Sequence, residues 1–368
     1  MKRVFWAHTL GSIGSSLVSI FVPIFLLKSG YGFPAVAGFL VAQNVSALLL
    51  QYPAAKLVGR IGANRGLALG LATATGYYLM LLTLGQVHWP LVVVATMWGA
   101  DRALYWMSLH ADFSKSRSHE KAGSQVSALT SVVTFAHGLT PAIGGIIATA
   151  VGIGWVYALA IGLLIAAATP LVRSPEVTNR RPVRWQNLEL RRIWRDPVSN
   201  FFNGITTVSE MVLWPLIIYF IVESYAGVGV LSSIIIIASI SVALYVGRRE
   251  VSRGEQHYLK RGLLLETVTN SLRVIAQNAS HVFGINLING VSRSLYITPY
   301  MTVYYRHADE EPRMEYIAVM EMGNELGGSL LLLAVLVASY YVPIETALLI
   351  GVGLAIPASF GVRLMRSE

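Results

Sequence analysis

The chain contains no cysteine, which excludes disulfide bonds, thiolate nucleophiles and cysteine-ligated metals. Charge is scarce as well. Asp, Glu, Lys and Arg make up 13% of the 368 residues, against roughly 25% in a soluble domain. Catalytic signatures are missing too. There is no phosphate-cradling G-x-x-x-x-G-K-[ST] loop, so ATP does not power this chain directly. No H-E-x-x-H helix and no G-x-S-x-G elbow occur either, and no enzyme is indicated. No cofactor motif is present. His8 and His137 stand alone in apolar runs, without the ligand cluster that a metal needs.

What is abundant is hydrophobic surface: 54% of residues, with a mean hydropathy of +0.58. It comes in blocks of about 20 residues, the length that crosses a bilayer as helix. Twelve such blocks are expected as transmembrane spans: 5–27, 34–55, 66–86, 89–110, 125–150, 153–172, 198–222, 227–246, 259–277, 281–304, 315–340 and 343–364. The β-branched run "SSIIIIASISVALYV" is also expected to be helical, because backbone groups in lipid must pair within the segment. The short alternating segments of a membrane β-barrel are absent. The first apolar stretch is longer than a signal-peptide core and lacks a small-residue cleavage site, so it is taken as span 1. The fold class that follows is an all-α integral membrane protein.

The net charge of +9 does not point to nucleic acid. If the loops are assigned alternately to two sides, 24 of the 28 Lys and Arg fall on the side of both termini, including Lys56, Arg60, Arg65 and the Arg173–Arg195 group. Lys28 and Arg273 fall near the other face, while Arg102 and Arg293 lie inside spans. This asymmetry is the positive-inside pattern, which makes both termini cytoplasmic in a cell membrane.

The longest loop, 173–197, reads "RSPEVTNRRPVRWQNLELRRIWRDP" and separates residues 1–172 from 198–368. Trp185, Leu188, Ile193 and Trp194 share a face amid arginines, as in an amphipathic helix lying on an anionic leaflet; a solvated basic linker is the alternative. The two flanking parts repeat. "GADRALYWM" at 99–107 aligns with "GVSRSLYIT" at 290–298, and "AKLVGRIGANRG" at 55–66 with "ALYVGRREVSRG" at 243–254. Pro23 aligns with Pro215, so the three offsets are 191, 188 and 192. Two parallel repeats of six spans are an established transporter architecture.

With these features the chain resembles the major facilitator superfamily over essentially its whole length. Between spans 2 and 3, "AKLVGRIGANR" keeps Leu57, Arg60, Gly62 and Arg65 of that family's loop motif, with Gly59 at its acidic position. In span 5, "GLTPAIGG" is similar to the family's antiporter signature through Gly138, Pro141, Gly144 and Gly145; close helix packing explains the same small residues. The resemblance implies alternating access around a central cavity lined by spans 1, 4, 7 and 10, a small-molecule substrate and a monomer among membrane lipids.

Asp101, Arg102 and Arg293 then lie near mid-bilayer. A charge there costs at least about 2.5–3.5 kcal/mol, so it normally faces a polar cavity and has a partner. Asp101 points about 100° away from Arg102 on a helix and is a poor partner for it. Glu210 in span 7 is the better candidate. Glu321 and Glu325 share a face of span 11, and Glu266 in span 9 is assigned to helix pairing. The acids outnumber the arginines, so some must be neutral part of the time, as a proton carrier requires. Asp101, Glu210, Glu321 and Glu325 are the candidate proton-coupling groups. Arg102, Arg293, Tyr105, Trp106, Asn289 and Tyr296 are the candidate cavity residues, with Gln43, Asn44, Asn203 and Tyr300 as further polar or aromatic positions. The expected function is a secondary active transporter, exporting a small amphipathic or cationic compound against protons. Two alternatives stay open: a proton symporter holding a small organic anion on Arg102 and Arg293, and a lipid or lysolipid flippase.

Overall fold

A computed structural model describes residues 2–115, 138–172, 182–235, 239 and 255–366. His137 and the 243–254 repeat segment lie outside them. In chain order the helices are α1 (Lys2–Ser16), α2 (Val22–Lys28), α3 (Phe33–Ile61), α4 (Ala63–Leu82), the single turn α5 (Leu84–Val87), α6 (Leu91–Lys115), α7 (Gly138–Ala150) and α8 (Ile153–Val172). There follow α9 (Leu190–Ile193), α10 (Arg195–Val208), α11 (Trp214–Val222), α12 (Tyr225–Ile235), α13 (Glu255–Val274), α14 (Ala279–Glu310), α15 (Arg313–Ala338) and α16 (Ile344–Gly361). The described residues contain no strand.

Among the described residues, six helical stretches are long and apolar enough to cross a membrane: Trp6–Lys28, Phe33–Ile61, Ile153–Leu171, Arg195–Val222, Arg313–Ala338 and Ile344–Leu364. The helices α7 and α12 are shorter but apolar. In α13 and α14 the composition is more polar for a physical reason: Glu266, Thr269, Asn270, Arg273, Asn286, Asn289 and Ser292 are all 0% exposed and face protein. Polar groups turned inward lower a helix's average hydropathy without meeting lipid.

Two helical stretches are interrupted. Between α1 and α2 the chain forms a 3-10 turn at Ser19–Phe21, and between α10 and α11 a π-helical turn at Ser209–Leu213. Each precedes a proline whose ring clashes with the carbonyl four residues back. For Pro23 that residue is Ser19, and for Pro215 it is Met211, so both breaks include the crowded carbonyl. Pro53, Pro299 and Pro357 lie in helices that stay continuous; proline permits a break here without dictating one. The turn from α3 to α4 depends on Gly62, whose φ of +95° disfavours any side chain.

Within residues 2–172, α3 packs on α6, α6 on α4, and α8 on both α1 and α4. Within residues 195–366, α10 packs on α15 and α16, and α13 on α14 and α16. The two groups meet mainly where α3 lies along α15. A second meeting place is built from backbone. A Cβ added at Gly145 would fall on the Tyr225 carbonyl, and one at Gly229 on the Pro141 carbonyl. Across the same contact, Ala142 N donates to Ser233 Oγ at 3.1 Å and Ala226 N to Thr149 Oγ1 at 3.0 Å. Gly144 stands equally close to the Leu17 carbonyl, where α1 breaks. Overpacking such sites costs about 1–3 kcal/mol or more. We expect Gly145→Val to lower the melting temperature in detergent, while Gly162→Ala, with open space around it, leaves it nearly unchanged. Equal melting of both variants would remove this close contact.

Candidate functional site

Arg102 on α6 and Arg293 on α14 each hold a glutamate. Arg102 donates from Nε and Nη2 to Glu325 Oε1 on α15, at 3.1 and 2.7 Å. Arg293 Nη1 donates to Glu210 Oε2 at 2.5 Å. Glu210 sits in the π-helical turn before α11, and its other oxygen accepts from Asn289 Nδ2 at 3.1 Å. Asn289 and Arg293 are four residues apart on one helix and face the same way, so together they clamp Glu210. That explains why Glu210, the partner expected for Arg102, serves Arg293 instead: its oxygens are occupied from α14. Arg102 turns to α15 and joins helices 223 residues apart in sequence.

The two pairs share an asymmetry. The arginine side chains are 29% and 28% exposed, and their glutamates 1% and 1%. Both arginine side chains are therefore partly open while their carboxylate partners are buried.

The remaining acids differ. Asp101 makes no hydrogen bond or ion pair among the described residues. Glu321 accepts from Tyr304 Oη at 3.2 Å and lies 3.5 Å from His110 Nε2. His110 Nδ1 in turn meets Tyr305 Oη at 2.8 Å. His110 thus ties α6 to α14 and α15, eight residues beyond Arg102 or about 12 Å along the helix. It is a site residue that the sequence reading passes over. Its signal is spacing: Arg102, Trp106 and His110 recur every four residues on one face.

Of the aromatic candidates, Tyr105 is held by His8 Nδ1 at 2.5 Å and Ser12 Oγ at 3.3 Å. Trp106 is 36% exposed and lies near the His110 ring. Tyr296 is 1% exposed and packs on Gly262 of α13. Tyr300 is equally buried and donates to Asn200 Oδ1 at 2.8 Å. Asn44 bonds to Gln43 and Leu40 and sits against Gly328 of α15; Asn203 bonds to Asn200. Tyr296, Tyr300, Asn44 and Asn203 are helix contacts in this arrangement.

Glu266 also joins helices. Ser292 Oγ donates to its Oε2 at 2.8 Å, and Arg273 Nη1 lies 3.9 Å from Oε1. Arg273 was expected near a membrane face, yet it is 0% exposed. It donates to Asn270 at 2.7 Å and its guanidinium lies 5.3 Å from the Trp214 ring. The buried Glu266 two turns earlier on α13 accounts for that placement.

In the loop motif, Gly59 is buried while Arg60 and Arg65 are exposed, without an ion pair among the described residues. A network the sequence did not announce surrounds Asp196 at the start of α10. It accepts from Tyr316 Oη at 3.0 Å and from Arg366 N and Nε at 3.0 and 2.8 Å, and it meets His307 Nδ1 at 3.0 Å. Glu311 meets both Arg366 and Arg192.

Apolar helices packed around buried ion pairs define a helical multi-pass membrane protein. The family model of the Major Facilitator Superfamily matches residues 4–248, and the chain belongs to that superfamily: it is a membrane transporter of small molecules, and the family is one of transporters. Its fold is similar to that of the human organic anion transporter MFSD10 (TETRAN), with a TM-score of 0.70, 12% identity and 98% of each chain covered. It is likewise similar to a bacterial homologue of the iron transporter ferroportin in an outward-facing state, with a TM-score of 0.70, 14% identity, and 99% of this chain and 97% of that one covered. No curated protein sequence matches the chain.

Proposed function

We propose that the chain is a secondary active transporter that carries a small organic anion together with protons by alternating access. It works as two six-span bundles, 1–172 and 198–368, joined by the linker 173–197, with both termini in the cytoplasm of the cell. One observation carries the choice of an anion: the side chains of Arg102 and Arg293 are 29% and 28% exposed, while those of their glutamates are 1% exposed. An arriving ligand meets N–H donors suited to a carboxylate or phosphate. As it takes over those donors, Glu210 or Glu325 loses its counter-charge. A buried carboxylate without a cation is costly and takes up a proton, so anion and proton travel together.

The test is uptake into proteoliposomes, with labelled monocarboxylates, dicarboxylates and phosphate, under an imposed pH gradient and in counterflow. Glu210→Gln is expected to keep counterflow and lose gradient-driven accumulation. If Glu210→Gln and Glu325→Gln both accumulate substrate as the wild type does, protons are not coupled through these groups.

A second reading, proton-driven export of an amphipathic or cationic compound, is favoured by Asp101. This acid makes no hydrogen bond or ion pair among the described residues, and Trp106, elsewhere on the same helix, is 36% exposed; a carboxylate and an indole each suit a cation. Exchange of amphipathic cations but no anion, abolished by Asp101→Asn, would select that reading.

A further inference from the structure

The segment after residue 181 does not hang free. Val183, Leu188 and Ile193 are 6%, 7% and 0% exposed and join a cluster with Tyr304, Tyr316 and Met365. Arg184 N donates to Glu315 Oε1 at 2.8 Å, and Asn187 Nδ2 reaches the same oxygen at 3.4 Å. The segment is therefore fixed to α15. From there it crosses to α3, where the Trp185 ring stacks on Tyr52 at 4.5 Å and 22°. Lys56, one turn further along α3, sets its Nζ 4.3 Å from the same Tyr52 ring.

Between these elements lies a cavity of about 340 Å³ lined by Tyr52, Lys56, Val183, Arg184, Trp185 and Gln186. Its lining holds two cations and no acid. The side chains of Lys56 and Arg184 are exposed and make no ion pair among the described residues. The ligand this recognises is an anion with an apolar or aromatic flank. The surroundings narrow it further. Leu190 and Trp194, on the same segment, are 55% and 54% exposed beside exposed Arg191 and Arg192. Exposed Leu and Trp among arginines suit the headgroup layer of a bilayer.

We propose that this cavity binds the phosphate headgroup of an anionic phospholipid. Lys56 and Arg184 meet the phosphate, and the Tyr52–Trp185 stack borders the glycerol and upper acyl region. The site takes one wall from α3 and the other from a segment fixed to α15, so an occupant favours the arrangement in which both walls are present. The lipid acts as a clip between the two helix groups, independent of what the centre carries.

The absence of cysteine gives a direct measurement. A single reporter, Gln186→Cys, is labelled with maleimide in dodecyl maltoside micelles containing phosphatidylglycerol or phosphatidylcholine. Native mass spectrometry of the unmodified chain counts retained lipid in parallel. Two basic groups facing one phosphate should give phosphatidylglycerol an advantage of roughly tenfold in both readouts. Lys56→Gln with Arg184→Gln should erase it while leaving the melting temperature in lipid-free detergent unchanged, since both side chains are exposed. Arg191→Gln should leave it intact. Equal effects of the two lipids, or an undiminished preference in the double variant, overturn the proposal. So does loss of the preference in Arg191→Gln, which would put the lipid on the outer surface. Protection by glycerol 3-phosphate or inorganic phosphate alone, matching that by lipid, would overturn the lipid assignment in favour of a soluble phosphate.

Discussion

Replacing Arg102 with glutamine is expected to cost about 3–5 kcal/mol of stability and to abolish transport. Glu325 is 1% exposed and takes its charged contact from Arg102; its other oxygen, Oε2, is buried without a hydrogen bond. Removing the guanidinium strands a charge in a low-dielectric interior, the costly way to break such a pair. Removing both charges is different. Arg102→Gln with Glu325→Gln should regain most of the lost stability, because a neutral pair has nothing to desolvate. Transport should stay absent, since the donor proposed to meet the substrate is gone. Denaturation in detergent and counterflow, run on both singles and the double, complete a mutant cycle. Additive losses would mean that the two groups do not interact.

A second large effect should come from Arg273→Met, with the opposite functional outcome. Arg273 and Glu266 are both 0% exposed, so the single variant leaves Glu266 with only Ser292 and Asn270 around it. We expect a loss of about 3–5 kcal/mol. The double variant Arg273→Met with Glu266→Gln should fold nearly as stably as the wild type, and it should transport. Arg102 and Arg273 thus separate by rescue. Neutralising both members restores fold alone at the first pair, and fold and flux at the second. A transport-dead double variant at 266 and 273 would move this cluster into the transport machinery.

Which of this was visible in the chain itself follows from the range of each interaction. The helices stand out because every residue of an apolar block votes for the same state. Asn289 and Arg293 were also open to view, since i and i+4 on a helix share a face whatever surrounds it. The partner of Arg102 was not. Glu210, Glu321 and Glu325 were all at a plausible depth, and only the packing of α3 along α15 brings Glu325 within 2.7 Å. Tyr296 matches Tyr105 in repeat position, yet the two face different neighbours. Gly262 admits Tyr296 against α13, while Tyr105 meets His8 and Ser12 on α1. The π-helical turn that carries Glu210 has no pattern of its own. Pro215 stands in the first turn of α11, just after the π-helical turn, whereas Pro299 lies within an unbroken α14.

The contact of α7 with α12 has a mechanical consequence. Where side chains interdigitate, sliding one helix past another forces rotamers to reset together. At Gly145 against Tyr225, and at Gly229 against Pro141, main chain lies on main chain. The glycines there have no rotamer freedom to lose, and the side chains engaged across the contact are the short hydroxyls of Ser233 and Thr149. Such a surface behaves as a bearing: it keeps two bodies in register while resisting rotation little. The stiff connections lie elsewhere, at Arg102 with Glu325 and His110 with Tyr305, and under the proposed alternating access those are the ones that must let go before the bodies turn.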